Sequence, residues 1–251
     1  MQQVASRRHR AGAAFLGEAA DCGPSGRRPR QKRRQANQLR RGALFRFQFG
    51  SHLVMRHLAC PSCGARVYFE NFGCLACGAK FAFAPDSGEM IALAENAAPA
   101  CANRSQFVCN WSTTPDEPLC RSCRLNDLIP NLSFPGNLER WRRIEQAKRR
   151  VVHDVIRLGL PTEARFRFLS ADLLATPVTT GHACGVITLD IAEADDAVRE
   201  QRRTQMGEPY RTLVGHFRHE LAHYYFERLV LDSSDIQACR FVFGDERADY
   251  A

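Results

Sequence analysis

Residues 207–230 read GEPYRTLVGHFRHELAHYYFERLV, and within them His219, Glu220 and His223 form HELAH, a match to the HExxH pattern. In a helix, residues four apart share one face. Two imidazoles at that spacing can therefore grip one Zn²⁺, while Glu220, one step round, reaches the water that the metal activates. The pattern arises by chance in about one chain in a hundred at this histidine frequency, so its flanks must arbitrate. Gly207-Glu208-Pro209 puts a proline near a first helical turn, and Leu213, Val214, Phe217, Leu221, Tyr225 and Leu229 then recur at helical spacing. A helix with one apolar face and the motif at its middle is predicted. His216 shares a side with His219 and His223 and is read as a supporting residue rather than a ligand. The competing reading, a buried helix whose histidines only hydrogen-bond to neighbours, leaves Glu220 beside an apolar stripe without a purpose.

The cysteines carry the next signal. Cys60 and Cys63, ten residues, then Cys74 and Cys77 make a paired CxxC arrangement, with Gly64 and Gly78 directly after each second cysteine. Glycine there admits positive φ and lets backbone amides turn toward thiolates, while VYFENFG between the knuckles is expected to form two short strands around a turn. This is a zinc ribbon by spacing, although similar knuckles also hold iron. Cys101, Cys109, Cys120 and Cys123 repeat the ten-residue interval and are read as a second four-cysteine site. Cys22, Cys184 and Cys239 stand outside both groups.

Net charge is +8 over 251 residues, yet residues 1–54 hold 12 Lys or Arg against 2 acids, so the remaining chain is slightly acidic. That basic segment has no sustained apolar period and is expected to be disordered, and Met55 is the preferred reading of the native start. Nucleic acid is a conceivable partner only through the basic tail or the ribbon. With no long apolar run and no signal peptide, no membrane partner is expected, and metal-type cysteines point to the reducing cytoplasm.

Residues 55–84 are thus assigned to a zinc ribbon, 85–100 to a linker and 101–124 to a second zinc module. Asn137 is expected to cap a long helix, LERWRRIEQAKRRVVHDVIRLG, with Leu138, Trp141, Ile144, Val151, Val155 and Leu158 inward. Its arginines, Arg149 and Arg150 among them, are read as a solvated outer face, and Gly159 with Pro161 as its end. Arg165 to Leu169 and Gly185 to Ile191 read as strands, and AEADDAVREQR as the start of another helix. Strand, helix, then metal helix is the order of zincin folds, which makes residues 185–191 the candidate edge strand for an extended substrate.

From about Met55 onward the chain resembles the bacterial zinc-binding metallopeptidases that carry an N-terminal zinc ribbon, a zincin-like family. The resemblance rests on CPSCGARVYFENFGCLACG, CNWSTTPDEPLCRSCRLNDLIPNLSFPGNLERWRRIEQAKRR, GVITLDIAEADDAVRE, GEPYRTLVGHFRHELAHYYFERLV and FGDERADY. It implies an α+β chain, with zinc-ribbon modules followed by a zincin-like domain over 137–251 that is truncated at its C-terminus. It also implies one catalytic and two structural Zn²⁺, ligation by His219 and His223, catalysis by Glu220 as general base, and a peptide or protein substrate. Such sites take a third ligand from a following helix, here either Asp245 or a residue past Ala251, with Asp249 placed to orient a histidine. Metzincins are excluded, since Phe226 and Leu229 stand where a glycine and a third histidine would be. The alternative is a binding module for protein or nucleic acid, in which the ribbons do the work and the peptidase-like region is an inactive scaffold.

Overall fold

The computed structural model describes residues 57–93, 99–170, 178 and 180–248; the basic segment 1–54 and Met55 lie outside the described residues. β1 (Leu58–Ala59) pairs antiparallel with β2 (Arg66–Val67), so the first CxxC knuckle is itself the turn of a small hairpin. The second knuckle repeats this with a bridge between Gly73 and Lys80. Gly64 and Gly78, both at φ +73°, donate their N–H groups to the carbonyls of Cys60 and Cys74 at 2.9 Å, the left-handed conformation for which glycine stands there. The strand pair expected within VYFENFG does not form. Val67 pairs back across its knuckle with Leu58 instead and leaves residues 68–72 without a partner strand.

The linker expected over 85–100 is also corrected. β3 (Phe81–Ala84) and β4 (Glu89–Ala92) form an antiparallel hairpin, and the turn-rich residues 85–88 are only its tip. Alternation of apolar residues on a short strand buries Phe81, Phe83 and Met90. Phe83 then joins the second cysteine module through the backbone, donating to Asn110 O and accepting from Ser112 N–H, both at 2.9 Å.

Beyond the cysteines lies a four-stranded sheet in the order β5 (Asn126–Leu128), β6 (Arg165–Leu169), β8 (Val186–Asp190), β7 (Gly181–Ala183). β5, β6 and β8 run parallel, and β7 is antiparallel to β8. The expected edge strand, 185–191, is therefore interior, and β5 and β7 are the two end strands among the described residues. Cys184 (φ +51°) and Gly185 (φ +81°) make the two-residue turn between β7 and β8, the positive-φ pair that suits the twist of a tight hairpin.

α1 (Asn137–Arg157) crosses the sheet and buries Trp141, Ile144, Val151, Val152 and Val155. Asn137 does not cap it. Gly136, at φ +83°, holds that position, and the Asn137 amide donates to Asn131 O at 3.0 Å. Gly159 closes the other end, as its sequence position predicts, but Leu158 is 56% exposed because the helix is already unwinding there. The solvated arginine face holds for Arg143 and Arg150 but is corrected at Arg149. Arg149 is buried and donates to Val108 O, and Lys148 is fully enclosed, because the second cysteine module covers that side of the helix. α2 (Asp196–Gln205), α3 (Leu213–Tyr225) and α4 (Ile236–Phe243) complete the α+β fold. Phe217 of α3 is fully buried and meets Phe166 and Phe168 of β6 edge-on, with centroids at 5.7 and 6.2 Å; a phenylalanine so placed contributes about 1.5–3 kcal/mol. Among the described residues no helix is long and apolar enough to cross a membrane.

Candidate metal centres

α3 begins four residues later than Pro209 suggests. The Thr212 hydroxyl accepts from Gly215 N–H at 3.0 Å and caps the helix, while Glu208 is engaged by Arg211 at 3.0 Å. From that start, Phe217, Leu221 and Tyr224 turn to the core and His219 and His223 turn to solvent. Leu229, expected on the apolar stripe, is 44% exposed because residues Phe226–Val230 form a wider π turn that rotates it away. The two imidazoles lie side by side with Nε2 atoms 3.1 Å apart. Two nitrogens at ordinary Zn–N lengths on a tetrahedral ion are about 3.3 Å apart, so the pair fits a shared zinc without rearrangement.

Glu220 lies on the inner flank of the pair, 5% exposed, with Oε1 3.3 Å from His216 Nε2. Burial by itself would raise its carboxyl, but the hydrogen bond and charge of His216 outweigh it and hold the group below its ordinary value. It therefore stands ionised as a proton acceptor. On the other side of the His216 ring, Nδ1 is 3.9 Å from Glu193 Oε2. Glu193 sits in the 3-10 turn Ile191–Ala194 after β8, nearly enclosed, and accepts from Arg202 at 2.6 Å and Arg211 at 2.8 Å. Arg202 also reaches Asp190 at 2.6 Å. This network fixes Glu193 and Asp190 at the end of β8 beside the His216 ring, and Glu193, Arg202 and Arg211 were not singled out by the sequence. Their stretch reads as an exposed acidic helix start, and nothing in its spacing marks Glu193 as buried.

Asp245 does not join the histidines. Its carboxylate is taken by Arg247 at 2.6 and 2.8 Å, with Arg240 at 3.8 Å, and these guanidiniums hold it well below the usual range. Asp249 lies outside the described residues. Among the described residues, no further His, Cys, Asp or Glu completes a group of three with His219 and His223.

All eight ribbon cysteines are brought together as two tetrads. Cys60 and Cys77, and Cys63 and Cys74, have sulfurs 3.7 Å apart; Cys109 and Cys120 are at 3.6 Å. Sulfurs on a tetrahedral zinc are about 3.8 Å apart, against about 2.05 Å in a disulfide, so both tetrads fit a metal. In the first tetrad Cys63 and Cys77 are exposed, whereas all four members of the second are buried. Hydrogen bonds from Cys109, Cys120 and Cys123 draw the Cys101 thiol strongly downward, whereas burial pushes Cys109 up and the contact with Cys101 pushes Cys120 up, so negative charge is unevenly shared among the four sulfurs.

Comparison with known proteins agrees with this arrangement. Residues 137–251 match the family model described as "Putative zinc-binding metallo-peptidase", and residues 57–134 match one described as "zinc-ribbon domain". An uncharacterized protein of Mycobacterium bovis and two of Mycobacterium tuberculosis are each 44% identical over 211 residues, covering 78% of this chain and 61% of theirs. The chain thus spans 61% of the length of these relatives. No solved structure matches it. Residues 57–134 therefore carry a zinc-ribbon domain, and residues 137–251 carry a domain of the zinc-binding metallopeptidase family.

Proposed function

We propose that the protein is a zinc-dependent peptidase that hydrolyses peptide bonds in the cytoplasm. The observation that carries this reading is the pair of Nε2 atoms 3.1 Å apart on the solvent face of α3, with the ionised Glu220 beside them and fixed from behind by His216. A zinc ion held by His219 and His223 would supply an acidified water and a Lewis acid for the scissile carbonyl. Glu220 takes the proton of the attacking water and returns it to the leaving amine, so one carboxylate serves as base and then acid. No cysteine or serine nucleophile is required. β7 supports the peptide class of substrate: it is one of the two end strands among the described residues and packs on α3, with His182 and Tyr224 ring centroids 5.8 Å apart. An extended peptide added to that edge would gain main-chain hydrogen bonds next to the histidines.

The absence of a third ligand group among the described residues favours one other reading, a ribbon-based binding module on an inactive scaffold. Zinc content decides between them. Elemental analysis should give three zinc per chain, two in the tetrads and one at the histidines, falling to two in the His219→Ala, His223→Ala variant together with loss of peptide-library cleavage. Two equivalents in both proteins would remove the peptidase reading.

A further inference from the structure

The family models divide the chain between residues 134 and 137, but the structure does not. Cys123 opens a short 3-10 turn that runs directly into β5, and β5 is the end strand opposite β7 in the sheet that supports the HELAH helix. The second, inner tetrad is also tied to α1 by a buried polar network. Cys123 Sγ lies 3.9 Å from Glu145 Oε2, and the other oxygen of Glu145 accepts from Lys148 and from the Asn126 amide, both at 2.8 Å. Lys148 also donates to Asn126 Oδ1 and lies 5.4 and 5.6 Å from the ring centroids of Phe166 and Phe168, the two core phenylalanines of β6. Arg149 holds the carbonyl of Val108, one residue before Cys109, and Arg121, between Cys120 and Cys123, reaches Thr162 at 3.0 Å. One contiguous set of contacts thus runs from the sulfurs through α1 and β5 to the centre of the sheet.

The first, outer tetrad is built differently. Its sulfurs face one another and the backbone of Ser62, two of its four cysteines are exposed, and its links run through the residues between the knuckles: Phe69 meets His153 of α1 at 5.3 Å, Glu70 pairs with Arg150, and the Phe69, Asn71 and Phe72 carbonyls accept from Asn110 and Arg104.

We propose that the inner tetrathiol centre is a structural cofactor of the peptidase-family domain itself, so that the domain begins at Cys101 and its metal holds β5 and α1 in place. The outer centre is a separate, solvent-accessible and dispensable module. Removing the inner metal leaves four buried thiols and the Glu145 to Lys148 network around an unfilled centre; removing the outer metal frees two solvent-exposed knuckles.

The test uses the full chain carrying Cys63→Ser and Cys77→Ser, loaded with cobalt(II), so that thiolate-to-cobalt charge-transfer absorption reports the inner centre alone. This variant should retain the helical circular dichroism of the parent and the buried emission of Trp111 and Trp141. On stepwise chelation, loss of the absorption band should coincide with loss of helical signal and of amide-exchange protection in α1 and β6. Band loss with helix and protection intact would overturn the proposal. So would failure of the Cys63→Ser, Cys77→Ser chain to fold, since the outer centre would then be equally required. The readouts do not involve peptide cleavage, so the result stands apart from the peptidase reading.

Discussion

Glu220→Gln should lower peptide cleavage by about a thousandfold, within the range of roughly 10²–10⁴ that a positioned acid or base contributes, while zinc per chain stays the same. The two halves of that expectation have separate causes. Glutamine keeps the size of the side chain and a carbonyl oxygen to meet His216 Nε2, which lies 3.3 Å from Oε1 in the native site, so the packing on the inner flank of α3 survives. It cannot take up the water proton, and the amine then leaves without an acid. On the proposed reading the imidazoles would grip the metal and Glu220 would not be one of its ligands. Kinetics on a quenched-fluorescence peptide library with parallel elemental analysis checks both halves. Unchanged cleavage would remove Glu220 as the base, whereas lost zinc would make it a ligand.

The features legible from sequence were those fixed by short spacings. Three residues between His219 and His223 set a common face once a helix forms, and two residues between paired cysteines set a knuckle. Arg165 to Leu169 and Gly185 to Ile191 likewise read as strands, and β6 and β8 lie there, burying Phe166, Phe168, Ile187 and Leu189. What escaped depended on neighbours distant in sequence. Arg149 reads as a solvated charge because nothing local shows that Val108 lies against it. The β7 edge was missed because its turn, Cys184-Gly185, uses positive φ at a cysteine rather than the Asn-Gly pair that announces such hairpins. Asp245 had a plausible sequence distance for a ligand, but Arg240 and Arg247 compete for it locally.

Glu193 illustrates the same limit and carries the largest expected effect on stability. Its side chain is 1% exposed and accepts from Arg202 and Arg211, the latter 10% exposed. Breaking a buried pair by deleting one partner costs about 3–5 kcal/mol, because the surviving charge keeps its desolvation without compensation. Arg202 retains Asp190 and Arg211 retains Glu208, so Glu193→Gln should fall near the lower end, about 3 kcal/mol, still a large share of a typical 5–15 kcal/mol. The pH dependence has a definite sign. Burial alone would raise the Glu193 carboxyl, but hydrogen bonds from Arg211 and Arg202 outweigh it and hold its folded value below the ordinary one. A group depressed in this way contributes its stability above the unfolded carboxylate value of about 4.3, and loses it as pH falls through the folded value. The gap between native protein and Glu193→Gln should therefore be widest near neutrality and shrink below about pH 4. Urea unfolding of both proteins at pH 7 and at successively lower pH measures that difference directly, with the other carboxylates common to both. A gap that is absent at pH 7, or constant with pH, would mean that Glu193 does not anchor α3 as an ionised partner of the two arginines.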